Sequence, residues 1–131
     1  MSKKMTVAFI GCGDFARHFV RLFQMHPFVE KVYVCDLIPE RAQEYHQLFG
    51  MEIINSYETV LARPDIDCIC NFTQRHLHGS IVKRALEAGK NVYSAVPMAS
   101  TVEECSEIIQ LVQKTGMTYM MGETCIYYPC A

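Results

Sequence analysis

The chain has no basic run longer than Lys3-Lys4, and its formal net charge is only -2, from twelve basic and fourteen acidic residues. Bulk charge therefore offers no footprint for a nucleic acid or a membrane surface. Uninterrupted apolar runs fall far short of the ~20 residues that a membrane helix needs, and Met1-Ser2-Lys3-Lys4-Met5 leads into no apolar leader, so a soluble, unexported, cytoplasmic protein is expected. Internal repeats, low-complexity segments, a phosphate loop ending in Gly-Lys-Ser and a Ser-His-Asp signature are all missing. Zinc spacing is missing too. His76-x-His78 has no matching second pair, and Cys68-x-Cys70 puts two thiols on one apolar strand face, so no metal is expected.

Half of the 131 residues are apolar, enough to close the core of one domain without staples. Seven cysteines are an odd number, and Cys12, Cys35, Cys68, Cys70 and Cys105 fall in apolar elements or the first turn. Free thiols in a reducing compartment are the simpler reading.

Strand and helix signals alternate from one end to the other. Residues 5–10 are a short run with β-formers ended by glycines, and Phe15, Phe19, Leu22 and Phe23 then form a helical stripe closed by His26-Pro27. Residues 31–35 form a strand ending at Asp36, and Pro39 opens a helix that stops at Gly50. Further strands are expected at 53–54, 66–72, 91–95 and 118–121. Helices are expected near 56–63, at 76–88, and after a capping box at Ser100-Thr101-Val102-Glu103. This order predicts an α/β fold, a three-layer, doubly wound parallel sheet of Rossmann type.

Gly11-x-Gly13-x-x-Ala16 sits between the first strand and the first helix. Gly11 suits a tight turn, Gly13 lets a diphosphate approach the backbone, and Ala16 permits close helix packing. The phosphates then meet unpaired N–H groups at the helix start. Asp36 lies 20 residues beyond Ala16, where a carboxylate accepts the ribose hydroxyls of an adenosine and repels a 2'-phosphate. NAD is therefore expected, with NADP possible because Arg41 softens the repulsion. The adenine lies near Leu37-Ile38. Asp14 either borders the ligand or caps the helix.

Ligands of open parallel sheets collect beyond the C-terminal strand ends. Thr73 and Gln74 are placed to contact the diphosphate or the nicotinamide ribose, and Arg75 to neutralise phosphate. Thr73 also suits a helix cap, Arg75 a solvated face, and His78 a packed position. Ser94 offers a hydroxyl to the ligand. The segment Ser94-Ala95-Val96-Pro97-Met98-Ala99 holds no ionisable group.

The stretches "VAFIGCGDFA", "VYVCD", "PDIDCICNFTQRHLHGSIVKRALEAGKNVY", "VPMA" and "GETCIYYP" resemble the cofactor domain of the glucose-fructose oxidoreductase / inositol dehydrogenase (Gfo/Idh/MocA) family over nearly the whole chain. The resemblance implies an NAD(P)-dependent enzyme moving hydride to or from a sugar, inositol or related polyol. It also implies homo-oligomerisation and a second, larger α/β domain that carries much of the substrate site. The apolar closing run Cys125–Ala131 fits such a continuation, giving a cofactor domain over 1–121 and the start of the second over 122–131. The implied cofactor contacts are Gly11, Cys12, Gly13, Asp14 and Phe15, then Asp36, Leu37 and Arg41. After the fourth and fifth strands they are Phe72, Thr73, Gln74, His76, His78, Ser94 and Pro97. No catalytic residue is assigned. Where relatives carry Glu-Lys-Pro after the fifth strand this chain has Ala95-Val96-Pro97, and where many carry Thr-Pro-Asn it has Thr73-Gln74-Arg75. Loss of the lysine ammonium leaves two alternatives beside the dehydrogenase: redox-assisted elimination or hydrolysis, and a non-catalytic NAD-binding regulator.

Overall fold

The computed structural model describes residues 3–129. Met1, Ser2, Cys130 and Ala131, at the two ends of the readings above, lie outside the described residues. Strands and helices alternate as β1 (Met5–Ile10), α1 (Asp14–Met25), β2 (Val29–Cys35), α2 (Pro39–Phe49), β3 (Glu52–Ile53) and α3 (Tyr57–Ala62). They continue as β4 (Cys68–Asn71), α4 (His78–Glu87), β5 (Asn91–Ala95), α5 (Val102–Thr115) and β6 (Tyr119–Gly122), with single 3-10 turns at Arg75–Leu77 and Thr124–Tyr127.

All strand pairs are parallel, and the sheet order is β3-β2-β1-β4-β5-β6. Strands covered on both faces lose clean alternation, which is why β4 reads Cys-Ile-Cys-Asn and is buried throughout. Val7, Phe9, Val34 and Cys70 face α1 and α2 on one side, with Ala16, Val20, Ala42 and Tyr45. Ala8, Ile10, Ile69 and Val92 face α3, α4 and α5 on the other, with Val60, Val82, Leu86 and Ile108. The result is the three-layer, doubly wound Rossmann arrangement.

Register fixes where the crevice falls. Ile10 pairs with Cys35 on one side and Asn71 on the other, so β1, β2 and β4 end level with one another. The chain leaves β1 toward the α1 face and β4 toward the α4 face, so the two connections part and open a cleft at the topological switch point.

The local signals for ends act where expected. Gly50 and Gly116 close α2 and α5 in the left-handed region, and the Ser56 hydroxyl caps α3 by accepting from Thr59 N. Three expectations shift. Leu22 is 66% exposed, because the inward face of α1 is drawn by Ala16 and Val20, where the helix must approach the sheet closely. The cap of α5 is Thr101, accepting from Glu104 N, one residue later than the box starting at Ser100. The fourth strand is also shorter than 66–72, because Phe72 turns away after its N–H donates to Ile10 O.

Cys12, Cys35, Cys68 and Cys70 are buried free thiols, Cys105 is half-buried and Cys125 exposed. Among the described residues no helix is long and apolar enough to cross a membrane, and no group of three or more His, Cys, Asp or Glu is placed to hold a metal.

Candidate functional site

The turn after β1 is built from two glycines with different tasks. Gly11 has φ +94°, and a methyl group there would lie 2.6 Å from Phe72 O and 2.9 Å from Thr73 N. Both the left-handed backbone and the approach of the β4 loop exclude a side chain. Gly13 has φ -85° and ψ 179°, which any residue adopts, and a methyl group there would meet nothing within 4 Å. Neither backbone geometry nor the protein's own packing demands glycine at 13. What it leaves is an open cradle in front of α1.

Gly13 is the N-cap of α1, and no side chain caps this helix; Asp14 opens it with its carboxylate pointing into solvent and loosely paired with Arg17 at 3.5 Å. The leading N–H groups are thus left for an anion at the positive end of the helix dipole. Asp14 does not serve as the cap.

Asp36, at the end of β2, is held rigidly beside this cradle. Its Oδ2 accepts from Cys12 N and its Oδ1 from Ile38 N, both at 2.7 Å. A carboxylate oxygen has two lone pairs, and the half-buried side chain keeps capacity for ribose hydroxyls. Asp36 therefore braces the glycine turn as well as presenting charge. Burial, and then the Asp36 charge, push the Cys12 thiol far above the ordinary cysteine range, and burial pushes Cys35 up to about 11. Both stay neutral thiols beneath the site rather than nucleophiles. Leu37 is 91% exposed and Ile38 partly so, an apolar shelf beside Asp36, with exposed Arg41 one turn into α2.

Beyond β4 the candidate residues divide. Gln74, Arg75 and His76 are exposed on the 3-10 turn. Thr73 is half-buried, its N–H and hydroxyl both donating to Asn71 Oδ1 at 3.2 and 2.7 Å. Phe72 packs against Phe9, Phe15 and Phe19, with Phe15 half exposed at the mouth. Ser94 and His78, by contrast, are buried and engaged. Asn71 Nδ2 donates to Ser94 Oγ at 3.0 Å, and Ser94 Oγ in turn donates to Ala95 O. His78 places Nδ1 2.7 Å from Pro97 O and Nε2 2.9 Å from Thr73 O, tying the β4 and β5 loops together. Both side chains are buried and bonded to the protein's own groups. Pro97 is exposed at the rim, next to Val96 at 37% exposure.

Sequence reasoning missed two residues. Asn71 ends an apolar strand and is fully buried, organising Thr73 and Ser94; a lone amide closing such a run was the available signal. Tyr45 on α2 donates its hydroxyl to Gly13 O at 2.5 Å, and nothing in its helical spacing distinguishes it from an ordinary core aromatic.

Two surface depressions of about 290 and 310 Å³ hold none of these residues, one lying by Gln24, Lys31 and Glu52 and the other between α4 and α5.

A glycine cradle at an uncapped helix, flanked by a braced acid at the switch point, is the geometry of a dinucleotide site. The model of the oxidoreductase family with an NAD-binding Rossmann fold matches residues 5–123. The chain belongs to the Gfo/Idh/MocA family. Its NAD(P)-binding Rossmann domain is similar to an NAD-binding protein from Listeria innocua, at TM-score 0.90 and 27% identity over 95% of this chain and 37% of that one. It is also similar to a 3-ketoreductase from Actinomadura kijaniata in complex with NADP, at TM-score 0.89 and 25% identity over 98% and 41%. Among curated relatives, Glycosyl hydrolase family 109 protein 3 of Phocaeicola vulgatus is 35% identical over 92% of this chain and 24% of its own length. The chain spans 24% to 37% of the length of the curated relatives it matches.

Within this Gfo/Idh/MocA domain the residues fit the cofactor. The amides of Gly13, Asp14 and Phe15 would hold the diphosphate, Asp36 the adenosine ribose, and Leu37-Ile38 the adenine face.

Proposed function

We propose that this chain is the cofactor-binding domain of an NAD-dependent oxidoreductase acting on a sugar, inositol or related polyol. The supporting observation is the uncapped start of α1 behind an unobstructed Gly13, with the Asp36 carboxylate fixed 2.7 Å from the Cys12 amide. When bound, the dinucleotide supplies a hydride acceptor or donor for a carbinol carbon. The chain's own part is to hold the diphosphate on backbone amides and to set the adenosine end by charge. The Asn71-Ser94 and His78 contacts shape the loops on the β4–β5 side of the cleft. The family resemblance implies a C-terminal α/β domain beginning near residue 122, and the curated relatives are longer than this chain. That domain supplies substrate contacts, the proton-transfer group and the oligomer contact. The free buried thiols suit a reducing cytoplasm.

One feature favours a second reading, redox-neutral hydrolysis or elimination with the same cofactor. β5 ends in the buried Ala95, and Val96 and Pro97, exposed just beyond it, offer no acid or base. A relative carrying a glycosyl hydrolase name is consistent with it. Screening the full gene product against polyols, sugars and glycosides tests both readings. Reduced cofactor accumulating at 340 nm supports the dehydrogenase, glycoside cleavage without net reduction supports the second, and neither outcome with any cofactor overturns enzymatic function.

Cofactor choice is tested on the chain itself. NAD is expected to bind more tightly than NADP, and Asp36→Asn to narrow that preference by about tenfold through loss of the charge near the 2'-position. Affinity for NAD itself should also fall, because an amide side chain can accept from only one of the two amides that Asp36 now serves. An unchanged ratio would remove Asp36 from the ribose site.

A further inference from the structure

The Gly13 carbonyl receives the Tyr45 hydroxyl at 2.5 Å across 32 residues of sequence. Tyr45 is wholly buried, its ring edge-on to Phe49 at 5.5 Å, and Arg17 closes over it at 5.8 Å while pairing with Glu44 at 2.8 Å. Burial raises the phenol well above its usual range, so it remains a proton donor. The bond reaches the residue of the turn whose side-chain position is left empty.

A peptide is planar and trans, so the direction of the Gly13 C=O sets the opposite direction of the Asp14 N–H. An N-cap carbonyl already accepts the first intrahelical bond, and the tyrosine occupies its second lone pair. Such a donor also polarises the peptide and strengthens its N–H as a donor on the far side. We infer that Tyr45 is a positioning residue for the dinucleotide, its hydroxyl fixing the Gly13–Asp14 peptide so that the Asp14 N–H faces the diphosphate. This rests on the cofactor reading above and adds a residue on α2 that touches no ligand.

The test is Tyr45→Phe, which keeps the buried ring. Titration calorimetry with NAD and NMR titration with adenosine, which lacks the diphosphate, are compared for both chains. The variant is expected to bind NAD about tenfold more weakly, the worth of one well-placed hydrogen bond, and adenosine within about twofold of the parent. Equal weakening for both ligands marks a merely structural residue and overturns the inference, as does unchanged NAD affinity. If the variant does not fold, the unsubstituted chain still decides. The Asp14 amide proton should move downfield with NAD and not with adenosine, and an unmoved Asp14 amide in a chain that binds NAD overturns the inference. Failure of the unsubstituted chain to bind NAD at all overturns the cofactor reading itself.

Discussion

Gly13→Val is expected to weaken NAD binding at least about a hundredfold, the loss of two or more charge-assisted contacts to the diphosphate, while the chain still folds. At φ -85° and ψ 179° a valine is unstrained, and its first carbon meets nothing of the protein within 4 Å. Replacing glycine at an N-cap with an apolar residue costs about 1 kcal/mol or less, a few degrees of Tm in a chain of this size. The side chain instead fills the space in front of the free amides. Calorimetry with NAD beside a thermal melt checks both halves. Equal affinity in the two chains would mean that the cradle is only a turn.

Gly11→Ala should do the reverse, damaging the fold before binding can be asked about. Its φ of +94° is costly for any residue with a Cβ, by about 1–3 kcal/mol. The added methyl would lie 2.6 Å from Phe72 O and 2.7 Å from Phe72 C, which are backbone atoms and cannot swing aside. Forcing β1 and β4 apart there also strains the Phe72 N to Ile10 O bond of 2.8 Å. Overpacking adds about 1–3 kcal/mol, so the melting temperature should fall by roughly 10 °C or more. A drop within about 2 °C would show that the β4 loop yields freely. The two glycines of one motif are thus separable by experiment.

What was legible in the sequence is what depends on neighbours along the chain. The β1–turn–α1–β2 unit, Asp36 at its strand end and the helix stops at Gly50 and Gly116 follow from local spacing and conformational preference. Leu22 was misplaced because a helical stripe of large apolar residues looks the same whether it faces a sheet or solvent. Only the close approach required at Ala16 and Val20 decides the facing. Ser94 and His78 read as cleft residues because both lie in strand-end segments. Their burial depends on Asn71 reaching Ser94 across 23 residues and on Pro97 O reaching His78. Tyr45 lay beyond reach for the same reason, since its partner is created only when α2 folds back over the turn.

One set of amides and one carboxylate, at adjacent strand ends, are proposed to receive a dinucleotide. Amide resonances recorded during an NAD titration of the chain test it residue by residue. Saturable shifts are expected at Cys12, Gly13, Asp14 and Phe15 together with Asp36, Leu37 and Ile38, on a single binding curve. Shifts confined to another surface, such as the depression by Gln24, Lys31 and Glu52, or no saturable shift at the turn, would contradict it.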